Sequence, residues 1–393
     1  MSDALKKAAI VGVYQSKQAR QLNRTAVDLY LEVVKGSLDD AGLSIKDVDG
    51  VVGANPNPLL TEGEGRNIPG SVFAEYFGTH VRYAGQALTA TQAGAMGMLH
   101  AMEAVCTGRA HTVLVTMVSA RSGFGVPGGD SGQGVSGDQW LSPFGLARVA
   151  YYGLFARRHM HEYGTTSAQL ARVAVIARKH ALLNPAAIMH SRGPITVEDV
   201  LNSRMVYDPL HLFDCCPTNQ GAAAVVVTTT ERARSLKHRP VHVLGFAESY
   251  QAVDIFHLPT ITAFDGDGGQ SGREAFAMAG VTRSDIDVAQ ISDHFTINPI
   301  IELEDLGFCK KGEGGPFVES GAVELGGKMP INTNGGYLSH SHAGGPGIFD
   351  IIELVCQLRG EAGARQVPNA RVGLHHGVGA TFISAQTAIL ARE

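Results

Sequence analysis

AGLSIKDVD, residues 41–49, returns as AGVTRSDID at residues 279–287, 238 positions further on. Ala, Gly, an aliphatic, a hydroxyl residue, Asp, a second aliphatic and a second Asp coincide place for place. An Ala-Gly helix exit followed by a short acidic linker is a common local device, so one such match carries little. Two more echoes accompany it. AIVGV at 9–13 reappears as HVLGF at 242–246, and MEAVC at 102–106 as IELVC at 352–356. Three matches in the same order at similar offsets imply two halves of one architecture, each a β-α-β series, packed as pseudo-duplicates.

Outward from the repeat, KAAIVGV (Lys7–Val13) reads as a buried strand. Arg24–Ala41 carries apolar residues at helical spacing (Val27, Leu31, Val34, Leu38) and ends at Gly42. The stretch up to Gly108, QALTATQAGAMGMLHAMEAVCTG, combines small residues suited to close helix packing with a core face at Leu99, Met102 and Val105. A strand at Thr112–Val118 follows. Residues 121–210 then break the α/β rhythm with a glycine-rich loop, helical stretches at 146–163 and 166–182, and the turn signals Asn184-Pro185 and Gly193-Pro194. FDCCPTNQGAAAVVVTT, 213–229, closes the first half with a loop and a strand. The expected division is 1–120 plus 205–238 as the first half, 121–204 as an inserted loop domain, and 239–393 as the second half.

A chain of 393 residues, 44% hydrophobic and 18% charged, holds a large buried core. Its net charge of −5, with signs interspersed and no basic block, argues against nucleic acid as a partner. Five cysteines make no disulfide framework and suit a reducing cytoplasm. No apolar run approaches the roughly 18 residues of a membrane span. Gly132–Gly137 spells G-x-G-x-x-G, but more than ten residues past the strand and opening no clear helix, so it does not read as a dinucleotide site.

Histidines gather in the second half. INTNGGYLSHSHAGGPG, Ile331–Gly347, sets His340 and His342 between glycine clusters; in an extended segment these two share a face. His294 falls in the loop after the repeated strand, in ISDHFT. His375 and His376 in GLHHGVGA precede another glycine pair at a strand end. Imidazole exchanges protons near neutrality, and loops at strand ends carry ligands in α/β folds. Acid–base chemistry on a bound molecule is the reading, with a glycine turn bearing exposed histidines as the plain alternative.

DCCPTNQGAAAVVV, ISDHFTINPIIELEDLG, INTNGGYLSHSHAGGPG and QLRGEAGARQVPNARVGLHHGVGA together resemble the thiolase superfamily over nearly the whole chain. The resemblance is nearest to the sterol-carrier-protein type of thiolase and to the lipid-transfer-type aldolases that lack its cysteine. It implies an α/β thiolase fold: two stacked βαβαβ halves in five layers (αβαβα) with an inserted loop domain. It also implies a homodimer and a coenzyme A thioester as substrate, with no covalently bound cofactor. Such aldolases work with a small partner subunit carrying an OB-fold and a zinc ribbon, so a heteromeric assembly is expected.

The departures from the thiolase pattern bear on the chemistry. The Cys-x-Ser nucleophile motif falls on Thr91, with Ala93 in the serine position; Cys106 lies at the far end of that helix. Without a thiolate an acyl-enzyme is not expected. The His-Asp-Cys-Phe motif reads Ser292-Asp293-His294-Phe295, which puts His294 in the acid/base position and Ser292 in the oxyanion-binding one. Gly-His-Pro reads Ser341-His342-Ala343 and keeps its histidine, where the side-chain-cleaving relatives carry tyrosine. Asp293 either orients a histidine or caps a turn. Tyr337 either supplies a phenol or packs in the core. Gly336, His375, Gly377 and Gly379 are expected against the thioester, and Thr91, Ser292 and N–H groups near Gly379 on its oxygen.

Retro-aldol cleavage of a 3-hydroxyacyl-CoA fits this set, because it needs proton transfer and enolate stabilisation but no nucleophile. Three other readings use the same residues: Claisen-type condensation or thiolysis as in acetyl-CoA acyltransferases, an acyl-CoA or lipid carrier without catalysis, and a metal site on His340-x-His342 with His294 and His375 or His376. No carboxylate flanks the HxH pair, so no metal is expected. G-x-S-x-G is absent, which removes serine hydrolases of that type.

Overall fold

The computed structural model describes residues 5–54, 69–87, 93–120, 148–251, 258, 260–265, 269–379 and 384–393. Strands of the first half are β1 (Ala8–Gln15), β2 (Gly50–Ala54), β3 (Tyr83–Ala87) and β4 (Thr112–Ser119). A small hairpin, β5 (Met205–Tyr207) and β6 (Leu210–His211), precedes β7 (Gly221–Thr229). The second half contributes β8 (Val241–Tyr250), β9 (Val288–Ile291), β10 (Val372–Gly379) and β11 (Ser384–Arg392). All but the hairpin join one mixed sheet in the order β3-β2-β4-β7-β1-β8-β11-β10-β9.

The repeat is the symmetry of this sheet. β2-β4-β7-β1 on one side correspond to β9-β10-β11-β8 on the other, with the same parallel, antiparallel, antiparallel succession. The halves meet at β1 and β8, which share the pair Ile10↔Val241. The helices are α1 (Ala26–Ala41), α2 (Pro69–Phe77), α3 (Ala93–Cys106), α4 (Arg148–Tyr163), α5 (Ser167–Ala181), α6 (Val197–Leu201), α7 (Thr230–Ala233), α8 (Gln270–Ala279), α9 (Ile297–Asp305), α10 (Gly314–Glu319) and α11 (Gly347–Arg359).

Each repeated letter has a physical reason. Gly42 and Gly280 end α1 and α8 at φ 70° and 68°, the left-handed region that glycine enters without strain. Asp47 and Asp285 accept from the backbone of Ser44 and Thr282, closing matching single turns. Asp49 accepts from the N–H groups of His111 and Thr112, and Asp287 from those of Arg371 and Val372, so each fastens the start of a neighbouring strand. A Cβ on Gly12 would lie 2.2 Å from the Ser37 carbonyl oxygen, and one on Gly245 equally close to that of Ala275. The outer helices therefore pack onto bare backbone in both halves.

MEAVC and IELVC lie on α3 and α11, which pack on each other between the two half-sheets. A Cβ on Gly94 would come 2.3 Å from the Ile348 nitrogen, so the helices touch at backbone distance. Strand residues alternate between layers: Val113, Val115 and Met117 of β4 face α3 and α11, whereas Leu114 and Val118 face the outer core under α1. Helices α4 and α5, from the insertion, pack Tyr152, Phe155, Leu170 and Ile176 onto the outer core of the second half beside Ile291, Ile300 and Leu303. The layers run α1, first half-sheet, α3 with α11, second half-sheet, α8, as a thiolase fold requires. Among the described residues no helix is long and apolar enough to cross a membrane.

Candidate active site

The site forms where β9 ends. Asn332, at φ 49°, aligns the 331–347 segment with that edge strand. Its side-chain oxygen accepts from Ile291 N–H at 2.8 Å, and its amide donates to the Ile291 carbonyl at 2.8 Å. A side chain thus completes the strand's pairing and fixes which residues meet the 292–296 loop. Gly335 and Gly336 then turn the chain, both at positive φ, into one π-helical turn, Gly336–His340. Asp293 holds that turn by accepting from Tyr337 N–H at 2.6 Å and Leu338 N–H at 3.3 Å. A Cβ on Gly336 would sit 2.2 Å from the Asp293 carboxylate, so no other residue fits there.

Three rings converge as a result. His294 and His342 meet nearly perpendicular, 86° between planes and 5.1 Å between centroids. Tyr337 lies against both, at 4.9 Å from His294 and 5.9 Å from His342. Tyr152 of α4 stacks on Phe295 at 4.1 Å and reaches the His294 ring at 6.3 Å. His294 is buried and His342 half-buried.

Buried polar groups brace this cluster. The Tyr337 hydroxyl donates to Asp350 of α11 at 2.5 Å, and His375 Nδ1 lies 3.3 Å from the same carboxylate oxygen. Burial, reinforced by the charge of Asp350, pushes the Asp293 carboxyl up to about 8 against the pull of its backbone donors. On the opposite face of β10, Ser292 donates to Glu302 at 2.7 Å and accepts from Val378 N–H at 3.2 Å. Asn298 donates to the same Glu302 oxygen, and burial drives that carboxyl well above its ordinary range.

The 213–221 loop supports the site from the first half. Cys216 N–H donates to the His294 carbonyl at 2.9 Å, and Thr296 donates to Asp214 at 2.8 Å. Asn219 accepts from His342 N–H at 2.7 Å while donating to Gln18 and Ser341. Gln18, Asp214, Asn219, Asp350 and Glu302 were not singled out from sequence. DCCPTNQG contributed to the family resemblance, but nothing in its spacing marks Asn219 as the residue that seats His342.

Several expectations need correction. The segment around His340 and His342 is not extended: the π-turn ends at His340, which is buried edge-on against Phe349 at 5.5 Å. Burial drives its imidazole down to about 3. His375 and His376 lie inside β10 rather than in a loop and are fully buried. His375 points toward Asp350, and His376 toward Thr387 at 2.9 Å. The proton of Ser292 is committed to Glu302 and not presented to a ligand. Gly377 and Gly379 pair with Gln386 and Ser384 of β11. Thr91, and the glycine-rich part of the insertion, lie outside the described residues.

Two imidazoles lie in ring contact here, and the described residues offer no thiolate nucleophile. Burial pushes the thiols of Cys215, Cys309 and Cys356 up to about 12, and that of Cys216 well above its ordinary value. Among the described residues no three His, Cys, Asp or Glu side chains gather as a metal-binding set.

Comparison with known proteins bears on the same residues. The family described as thiolase C-terminal domain-like matches residues 247–392. A steroid side-chain-cleaving aldolase of Thermomonospora curvata is 38% identical over 367 residues, 88% of this chain and 90% of the relative. An acetyl-CoA acetyltransferase of Methanothermobacter thermautotrophicus is 35% identical over 390 residues, 99% of this chain and 100% of the relative. The solved structure described as Ltp2-ChsH2(DUF35) aldolase superposes with a TM-score of 0.87 at 35% identity, covering 98% of each chain.

Proposed function

Because the chain belongs to the thiolase superfamily, in its aldolase branch, we propose that it is a carbon–carbon lyase cleaving a 3-hydroxyacyl-CoA by retro-aldol chemistry. The observation that carries this reading is the perpendicular His294–His342 pair, set in a site with no described thiolate. One imidazole, His342, takes the proton of the 3-hydroxyl. The Cα–Cβ bond breaks, the hydroxyl carbon becomes a carbonyl, and the electron pair moves into the thioester as an enolate. His294, protonated at the outset, gives a proton to the α carbon, releasing a shortened acyl-CoA; return of the proton from His342 to His294 restores the pair, so one proton has passed from oxygen to carbon overall. The Ser292 hydroxyl, committed to Glu302, does not serve as the donor to the enolate oxygen. A lipid or steroid side chain is the substrate class that the aldolase relative's activity favours.

A DUF35-type partner fits the assembly named in the superposing structure. A homodimer, a cytoplasmic setting suited to five unpaired cysteines, and an insertion over 121–204 carrying substrate contacts or an oligomer interface complete the proposal. The acetyltransferase relative supports a second reading, acyl transfer through a covalent intermediate. Intact mass after mixing with acetyl-CoA or a longer acyl-CoA and acid quenching separates the two. No adduct, with release of a shorter acyl-CoA from a 3-hydroxyacyl-CoA, is expected. A stable acyl adduct overturns the lyase in favour of the transferase.

A further inference from the structure

We propose that Asp350, acting through the Tyr337 hydroxyl, is a positioning residue that seats the His294–His342 pair and supports positive charge on it. The inference rests on the lyase reading for its kinetic consequences, but its physical basis is independent of the substrate. Asp350 lies on α11, in the central layer between the half-sheets, and is 1% exposed. It accepts a hydrogen bond from the Tyr337 hydroxyl at 2.5 Å and faces His375 at 3.3 Å, so two groups from different elements converge on one carboxylate. Tyr337 is the ring common to both imidazoles. A side chain pinned at its hydroxyl by Asp350, and at its backbone by Asp293, is held against both imidazoles.

The chemistry gives the carboxylate a second part. When the base takes the hydroxyl proton, an imidazolium forms beside Tyr337, and a nearby fixed negative charge stabilises it in a water-poor site. The other titratable groups facing this centre are Asp293 at the end of β9, Glu302 on α9, His375 on β10, Cys216 in the 213–221 loop and Tyr152 on α4. Burial pushes the Asp293 carboxyl up to about 8 and the Glu302 carboxyl well above its ordinary range, and Asp350 is the acceptor in contact with the phenol.

Asp350→Asn retains shape and removes the charge; Tyr337→Phe removes the hydroxyl alone. In Asp350→Asn, kcat should fall about tenfold or more with little change in KM, and the acid limb of the kcat profile should move to lower pH by about one unit. Ring-proton NMR titration of His294 and His342, assigned with His294→Gln and His342→Gln, should show midpoints displaced the same way without any substrate. A folded Asp350→Asn variant with wild-type kcat, pH limb and NMR midpoints overturns the proposal. If that variant does not fold, Tyr337→Phe decides: a tenfold loss of kcat at constant KM supports the link, and a wild-type rate removes it. If the wild-type protein shows no lyase activity, the reaction assignment fails. The NMR midpoints then judge the role of Asp350 by themselves.

Discussion

His342 is the residue on which the chemical reading rests, and its environment shows why one side chain carries so much. Its backbone is held by Asn219 from the other half, and its ring by His294 and Tyr337. Half-buried, it can be shortened without opening a sealed core. His342→Ala should therefore lower kcat by roughly 10²–10⁴-fold, the range of a lost general base, while the denaturant midpoint stays near wild type. Steady-state kinetics and urea unfolding check both parts; a wild-type rate would return the protein to the carrier reading.

At the scale of the element, the π-turn Gly336–His340 and the 292–296 loop form one unit. Asp293 supplies what the turn lacks, acceptors for the Tyr337 and Leu338 N–H groups, and occupies the space that a side chain at 336 would need. Gly336→Ala meets two penalties: a left-handed φ of 60°, about 1–2 kcal/mol for an L residue, and a clash with the carboxylate. The variant should lose at least that much stability and most of its activity together, because displacing Asp293 also displaces Tyr337. A denaturant melt paired with an activity assay tests this, and retained activity at reduced stability would separate turn from site. The same unit shows where a periodicity argument stops. Side chains two apart share a face only in a strand, and here Gly335 and Gly336 build a turn that sends His340 inward to Phe349.

Across the whole molecule, the second half buries groups whose charge states oppose one another. His340 and His376 are driven down to about 3 and about 4 by burial, whereas Asp293 and Asp305 are driven up to about 8 and about 6. For a histidine with a depressed folded pKa, the unfolded chain binds the extra proton between the folded value and about 6.5. Its contribution is complete above that range and lost as pH falls through it. A buried acid with a raised pKa acts in the opposite sense, losing stability as pH rises. Only a difference between variants isolates one group. Wild-type stability minus that of His340→Gln should fall by about 1.4 kcal/mol per pH unit below about pH 6.5. Urea midpoints at pH 7, 6 and 5 measure it, and a constant difference would mean that His340 is protonated in the fold.

The sequence by itself determined the duplicated architecture, because the repeat encodes local necessities. Glycine is required where a helix ends left-handed or packs on bare backbone, and Asp where a strand's first N–H groups need an acceptor, wherever the chain later goes. It also determined the loss of the nucleophilic cysteine, the histidine at 294 in place of the motif's cysteine and the retention of His342, which are matters of residue identity. Only the tertiary structure decided which histidines share a site. His340, His375 and His376 stand in the same glycine-rich contexts as His342, yet strand register and a π-turn bury them, and Asn332 sets the register that brings His342 to His294. Only the tertiary structure, too, placed Asp350, Asn219 and Glu302 around the rings. Their partners lie 13, 123 and 10 positions away and were paired by the packing of α11, the 213–221 loop and α9 rather than by any spacing along the chain.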